Sequence, residues 1–200
     1  MSATPISSEG FAELGLSEFL LTVDDLETMV RAGVFDRDDA KRVELVEGRL
    51  VTMPSESMLH ARAAGRLSAA LTEALKRLSL DQRFEVLNGG TVRISETSAF
   101  DPDGAVISRD AQGFFMRSDQ VFLIIESSLS TLKRDLGAKS RAYAAAGIAE
   151  YWVIDVKSAK LHVFRAPVDG VWTQTQTLGA ADLVSPLFAP GADITLTSVF

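Results

Sequence analysis

Residues 121–143 read Val-Phe-Leu-Ile-Ile-Glu-Ser-Ser-Leu-Ser-Thr-Leu-Lys-Arg-Asp-Leu-Gly-Ala-Lys-Ser-Arg-Ala-Tyr, and two placements in this stretch decide the fold. The run Val121–Ile125 is β-branched and aromatic, the pattern of a central strand buried on both faces. Glu126 closes it. An ionised carboxylate at the rim of such a strand costs roughly several kcal/mol unless a cation or hydrogen-bond donors meet it, so the chain has to supply one of these. The next segment has a helical period, with Leu132, Leu136, Lys139 and Tyr143 on one stripe and Gly147 as its C-terminal stop. Lys139 therefore stands where a leucine is expected. It either snorkels on its methylene stem or faces a polar pocket, and Glu126 shortly before it favours the pocket.

Toward the N-terminus, Phe100-Asp-Pro-Asp-Gly-Ala-Val-Ile107 is a further strand. Pro102 cannot donate within a central ladder, so the strand begins at or after Asp103, which sets that carboxylate at a strand mouth. Taken alone, Asp-Pro-Asp-Gly is also ordinary turn chemistry. Phe84–Leu87 and Thr91–Ile94, joined by Asn88-Gly-Gly90, read as an extended pair. Ser57 caps a long helix to about Leu78 with His60, Ala64, Leu67, Leu71 and Ala74 on one stripe. His60, in the first turn, either faces a bound anion or packs as a satisfied core histidine. The basic residues of this helix read as a solvated face. Before it, Val43–Thr52 alternates around Glu47-Gly48 as a tight hairpin, preceded by a charged loop over Asp36–Lys41. Thr22 and Asp25 match a capping box opening a short helix closed by Gly33. Residues 1–21 are expected to be a weakly ordered lead, and 22–200 one domain with its core at about 43–165.

Toward the C-terminus, Glu150–Asp155 reads as a second buried strand and Leu161–Arg165 as its antiparallel partner, with His162 structural. The order of elements is hairpin, long helix, three strands, helix, strand. It specifies an α/β (α+β) fold, a mixed central sheet flanked by helices, with an added N-terminal helix and hairpin.

Composition bounds what the pocket belongs to. The chain has 200 residues, 46% of them hydrophobic, and no cysteine. Disulfides and thiolate metal sites are thereby excluded, in agreement with a reducing, cytoplasmic setting. A metal would be held by oxygen or by the two histidines. No window approaches the ~20 apolar residues of a membrane span, so no membrane partner is expected. The formal net charge of −7 argues against indiscriminate polyanion binding but permits a local basic surface.

An Asp opening one strand, a Glu closing the next and a Lys nearby resemble the PD-(D/E)XK nuclease superfamily. Glu-Leu-Val-Glu-Gly-Arg-Leu (44–50), His60 at a helix start, Pro102-Asp103, Glu126, Arg134-Asp-Leu-Gly-Ala-Lys139 with Tyr143, and Gly147-Ile-Ala-Glu-Tyr-Trp-Val-Ile-Asp155 resemble, in combination, the Uma-two family of restriction endonuclease-like proteins. The likeness runs from about Thr22 to Phe164. Two departures are visible. Ser128 stands where the superfamily usually has its lysine, and Ser127 follows the acid where the family commonly has valine. The family's counterpart of the missing lysine is one moved onto the following helix, which matches Lys139.

The resemblance implies a metal-dependent endonuclease that hydrolyses DNA phosphodiester bonds. It makes Asp103, Glu126 and Lys139 catalytic and Glu44, His60, Asp135 and Tyr143 supporting. Asp103, Glu126 and the Ser127 backbone carbonyl would ligate Mg²⁺ or Mn²⁺, hard ions suited to oxygen ligands. Lys139 would orient or help deprotonate the attacking water. Glu44 either reaches the same metal or is a solvated strand residue. Asp135 and Tyr143 either hold Lys139 in an Asp–Lys–Tyr ladder or serve as a helix-terminal charge and a core residue. Cutting both strands needs two sites, hence a homodimer. The alternatives are a catalytically silent nucleic-acid or protein binding module that keeps the fold, and a nuclease for RNA or branched DNA.

Overall fold

The computed structural model describes residues 14–36, 42–53 and 55–200. Most of the expected N-terminal lead, residues 37–41 of the expected charged loop, and Pro54 lie outside the described residues. The organising element is the strand Val121–Ser128 (β8), which runs three residues past the expected Ile125. Glu126 thus lies inside the strand rather than at its end, because a parallel partner, Glu150–Asp155 (β9), continues the ladder from Ile124 to Ser128.

The two-residue alternation of β8 divides its side chains between two layers. Leu123 and Ile125 face the helix Met58–Arg77 (α2) and pack with its Leu67, Leu71 and Leu75 and with Trp152 and Ile154 of β9. Ile124 faces the opposite layer, with Tyr143, Ile148, Tyr151 and Val153. Glu126 and Ser128 share the Ile124 side, and Ser127 shares the α2 side. The sheet completes itself as β11-β10-β9-β8-β6-β3, with Phe84–Leu87 as β3, Gly104–Ser108 as β6, Lys160–Val168 as β10 and Val171–Gly179 as β11. Only β8 and β9 are parallel neighbours in it, as the mixed sheet expected from sequence requires.

The layer facing Ile124 contains the helical run α3. It consists of an α-helical turn Leu132–Arg134, a π-helical turn Asp135–Lys139 and an α-helical stretch Ser140–Ala145, ended by Gly147 at φ 76°. The sequence period anticipated a regular helix. The π turn is the difference, and such turns are frequent at functional sites.

A second sheet is built from Val43–Val46 (β1), Arg49–Thr52 (β2), Val92–Arg93 (β4), Ala99–Phe100 (β5) and Met116–Arg117 (β7), in the order β2-β1-β5-β4-β7. The hairpin Val43–Val46 (β1) and Arg49–Thr52 (β2) turns at Glu47 and Gly48, both at positive φ, as expected. Ala99–Phe100 (β5) pairs with β1 and with Val92–Arg93 (β4), and Met116–Arg117 (β7) adds to β4. This corrects one expectation, since Phe84–Leu87 and Thr91–Ile94 do not form a hairpin. Gly89 and Gly90, at φ 93° and 105°, turn the chain out of one sheet and into the other. The short helix Val23–Arg31 (α1) has the expected capping box, Thr22 with Asp25, and covers Leu45 and Ala99. Among the described residues no helix is long and apolar enough to cross a membrane.

Candidate active site

Because β6 runs antiparallel to β8 with Gly104 opposite Ile125, the start of one strand meets the end of the other. Asp103 is therefore carried to the Glu126–Ser127 peptide, where its Oδ2 accepts the Ser127 N–H at 2.6 Å. The same oxygen is 2.9 Å from His60 Nε2. That contact is close but poorly aligned for a hydrogen bond, which leaves Nε2 buried without a hydrogen-bond partner among the described residues. It nevertheless raises the His60 pKa, with burial opposing. His60 is fixed from the other side, since its N–H donates to the Ser57 cap and its carbonyl accepts the Ser127 hydroxyl.

Behind this junction lies a buried charge cluster. Lys139, 4% exposed, places Nζ 2.8 Å from Glu126 Oε1 and 2.8 Å from Glu44 Oε1. The open choice for Glu44 is resolved toward burial, as β1 carries it under β5, where it also accepts the Asp101 N–H. Tyr143 donates to Glu126 Oε1 at 2.9 Å and meets Phe100 edge-on. The Asp–Lys–Tyr ladder takes another form: Lys139 and Tyr143 converge on Glu126. Asp135 turns instead to the Ser128 and Thr131 hydroxyls and the Arg134 guanidinium, and its carbonyl accepts the Tyr151 hydroxyl. Ser128 at the superfamily's lysine position is thus a strut for α3.

Burial pushes the Glu126 carboxyl up to about 7 against the pull of Lys139. Burial would lower Lys139, but Glu126 and Glu44 outweigh it and hold the ammonium above the ordinary lysine range. The two shifts do not mirror each other because one ammonium serves two carboxylates. With both ionised the cluster carries a net negative charge, which a further cation would relieve.

A cavity of about 100 Å³ opens onto this cluster and is lined by Glu56, His60, Asp103, Glu126, Arg42 and Arg134, among others. Glu56, His60 and Asp103 each offer a ligand atom within 4.8 Å of the others. Small side-chain rotations would let such a set hold a divalent ion. An orphaned imidazole nitrogen beside two carboxylates therefore fits a divalent metal. The sequence reading missed Glu56, although its i, i+4 spacing from His60 across a helix start was available as a signal. Glu56 also pairs with Arg42, whose proximity no local pattern reveals.

The architecture is that of a nuclease fold. A crystal structure described as that of "a putative nuclease belonging to DUF820" from Anabaena variabilis ATCC 29413 superposes with a TM-score of 0.67 at 15% identity, covering 90% of this chain and 97% of that one. The sequence matches the Uma2 family, described as "Putative restriction endonuclease", over residues 24–197, and the chain belongs to that family. No curated protein matches it in sequence.

Proposed function

We propose that this chain is a divalent-metal-dependent nuclease that hydrolyses DNA phosphodiester bonds, working as a homodimer when both strands are cut. The observation that carries the reading is Lys139, a buried ammonium held by Glu44 and by Glu126, the last of which lines the same cavity as Asp103. A lysine is expensive to bury, and no packing need of α3 accounts for it.

Asp103 and Glu126, with the Ser127 carbonyl, would hold the metal, and His60 and Glu56 extend the donor set. When bound, the ion supplies charge neutralisation at the phosphate and a more acidic water. The chain's own residues do the rest. Lys139, held above its ordinary pKa, serves as a hydrogen-bond donor and positive charge rather than as a base. Glu44 and Tyr143 fix Lys139 and Glu126 in place. The Ser127 N–H orients the Asp103 carboxylate, and Arg134 and Arg42 offer positive charge at the mouth.

The test is cleavage of supercoiled, linear, branched and single-stranded DNA and of RNA with Mg²⁺ or Mn²⁺. The parent is expected to cut DNA only with metal, and Asp103→Asn to lose at least about 10²-fold in rate. Cutting by Asp103→Asn at the parent rate would remove Asp103 from the site.

A further inference from the structure

The candidate catalytic cavity continues past Asp103. A larger cavity of about 400 Å³ shares Arg42, Glu56, Asp101 and Asp103 with it. One wall is the bare face of α2 at Ala61, Ala64 and Gly65, and the facing wall is the Asn88–Gly90 turn. Gly65 is the informative residue. It lies in the middle of a 20-residue helix, where glycine is disfavoured relative to alanine. Its backbone has no positive φ, and a Cβ there meets no heavy atom within 4 Å among the described residues. Neither conformation nor packing against the described residues calls for glycine at this position.

On the opposite wall Gly89 is required by its φ of 93°, and a Cβ on it would touch only the Pro102 carbonyl, at 4.0 Å. The slot is thus lined by small residues of α2 and of the turn, and by the polar side chains of Arg42, Glu56, Asp101 and Asp103 that it shares with the smaller cavity. Arg42 stands where the two cavities meet, its guanidinium paired with Glu56 and 3.4 Å from the Asp101 carbonyl, and Asn88 is exposed at the far side. Its volume is within the range of about 300–1,000 Å³ typical of small-ligand sites. A flat ring between walls of small residues, with an anionic group at an arginine, is the chemistry of a nucleotide.

We propose that this slot holds one unstacked nucleotide of the substrate strand, next to the bond that is cut, with its phosphate toward Arg42. Gly65 sets the clearance for the base. The inference rests on the nuclease reading for its substrate, and it makes strands from which a nucleotide can leave the stack (single-stranded, frayed or branched) better substrates than an uninterrupted duplex.

Two measurements test it. Titration of the ¹⁵N-labelled parent with deoxyadenosine monophosphate should shift the Gly65, Gly89 and Gly90 amide signals saturably, and Gly65→Leu should abolish the shifts. In cleavage assays the parent should favour single-stranded over blunt duplex DNA by at least tenfold in kcat/KM. Gly65→Leu should lower kcat/KM on the single strand at least tenfold, with Mn²⁺ affinity unchanged and Tm unchanged or higher, and Gly65→Ala should lower it by an intermediate factor. If Gly65→Leu cuts and binds the mononucleotide as the parent does, the slot is wrong and the nuclease reading stands. If the parent cuts nothing yet the three amides shift, the slot stands and the nuclease reading fails. Neither cleavage nor shifts would overturn both.

Discussion

At the scale of single residues the account turns on Glu126. Its carboxyl is pushed up to about 7 by burial, against an ordinary value of 4.5. Between those pH values the native chain holds more protons at this site than the unfolded chain, so its stability falls as pH rises from about 4.5 through about 7 and is flat for this group above. The difference is on the order of 3 kcal/mol. Lys139, raised in the folded chain, contributes stability that is lost only in strongly alkaline solution, outside this window. Urea unfolding at pH 5 and pH 8 in a chelator, parent against Glu126→Gln, checks this. The variant should lose the downward trend with pH, and an identical trend in both would mean that Glu126 is not the titrating group. Much of this was legible beforehand, because a carboxylate ending an apolar run and a lysine on an apolar stripe are anomalies of local pattern. Glu44 was ambiguous for a physical reason: strand alternation gives its face but not what covers it, and β5 does the covering through pairing from 54 residues away at Leu45 and Ala99.

At the scale of elements, the π turn Asp135–Lys139 is what the helical period did not reveal. It lets Asp135 reach Ser128 and Thr131 while Lys139 and Tyr143 both reach Glu126. Inserting one alanine after Ala138 gives this turn one residue more than it accommodates and rotates the C-terminal part of α3 by about 100° relative to its N-terminal part. The insertion variant should still unfold cooperatively but lose at least about 10²-fold in cleavage rate, because Lys139 and Asp135 can no longer both keep their partners. Circular-dichroism melting alongside cleavage assays reads this. Parent-level cleavage by a folded variant would mean the π turn has no positioning role. The Asn88-Gly-Gly90 turn makes a related point. Turn chemistry announces that the chain reverses, and only tertiary pairing decides whether the next strand returns beside the last or joins another sheet.

At the scale of the molecule, two layers converge on one junction: α2 brings His60 to the Ser127 side of β8, and α3 brings Lys139 to the Glu126 side. The element order that fixes this was readable from sequence, because two buried strands with a helix between them demand a parallel crossover. The second sheet was not, since three of its strands are two residues long and carry no period. Convergence of Asp103, Glu126, Glu44 and Glu56 near one cavity, in a chain of net charge −7, makes a cation stabilising. Mn²⁺ at about one hundred times its Kd should raise stability by about 2.7 kcal/mol through mass action. Differential scanning calorimetry should show this rise in the parent and a much smaller one in Asp103→Asn.

The most direct measurement is single-turnover DNA cleavage by the parent and Lys139→Met at saturating Mn²⁺, with metal affinity measured for each by calorimetry. Methionine keeps the apolar stem in its packing and deletes the charge. Glu44 and Glu126 lose their buried ammonium, which lowers the stability of the metal-free chain, and saturating Mn²⁺ offsets this by restoring positive charge beside Glu126. The account predicts metal affinity no weaker than the parent's, since a repelling cation is gone, and a cleavage rate lower by about 10²-fold or more. Equal cleavage rates in the two proteins at equal metal occupancy would contradict it, making Lys139 a structural partner of Glu44 and Glu126 and nothing more.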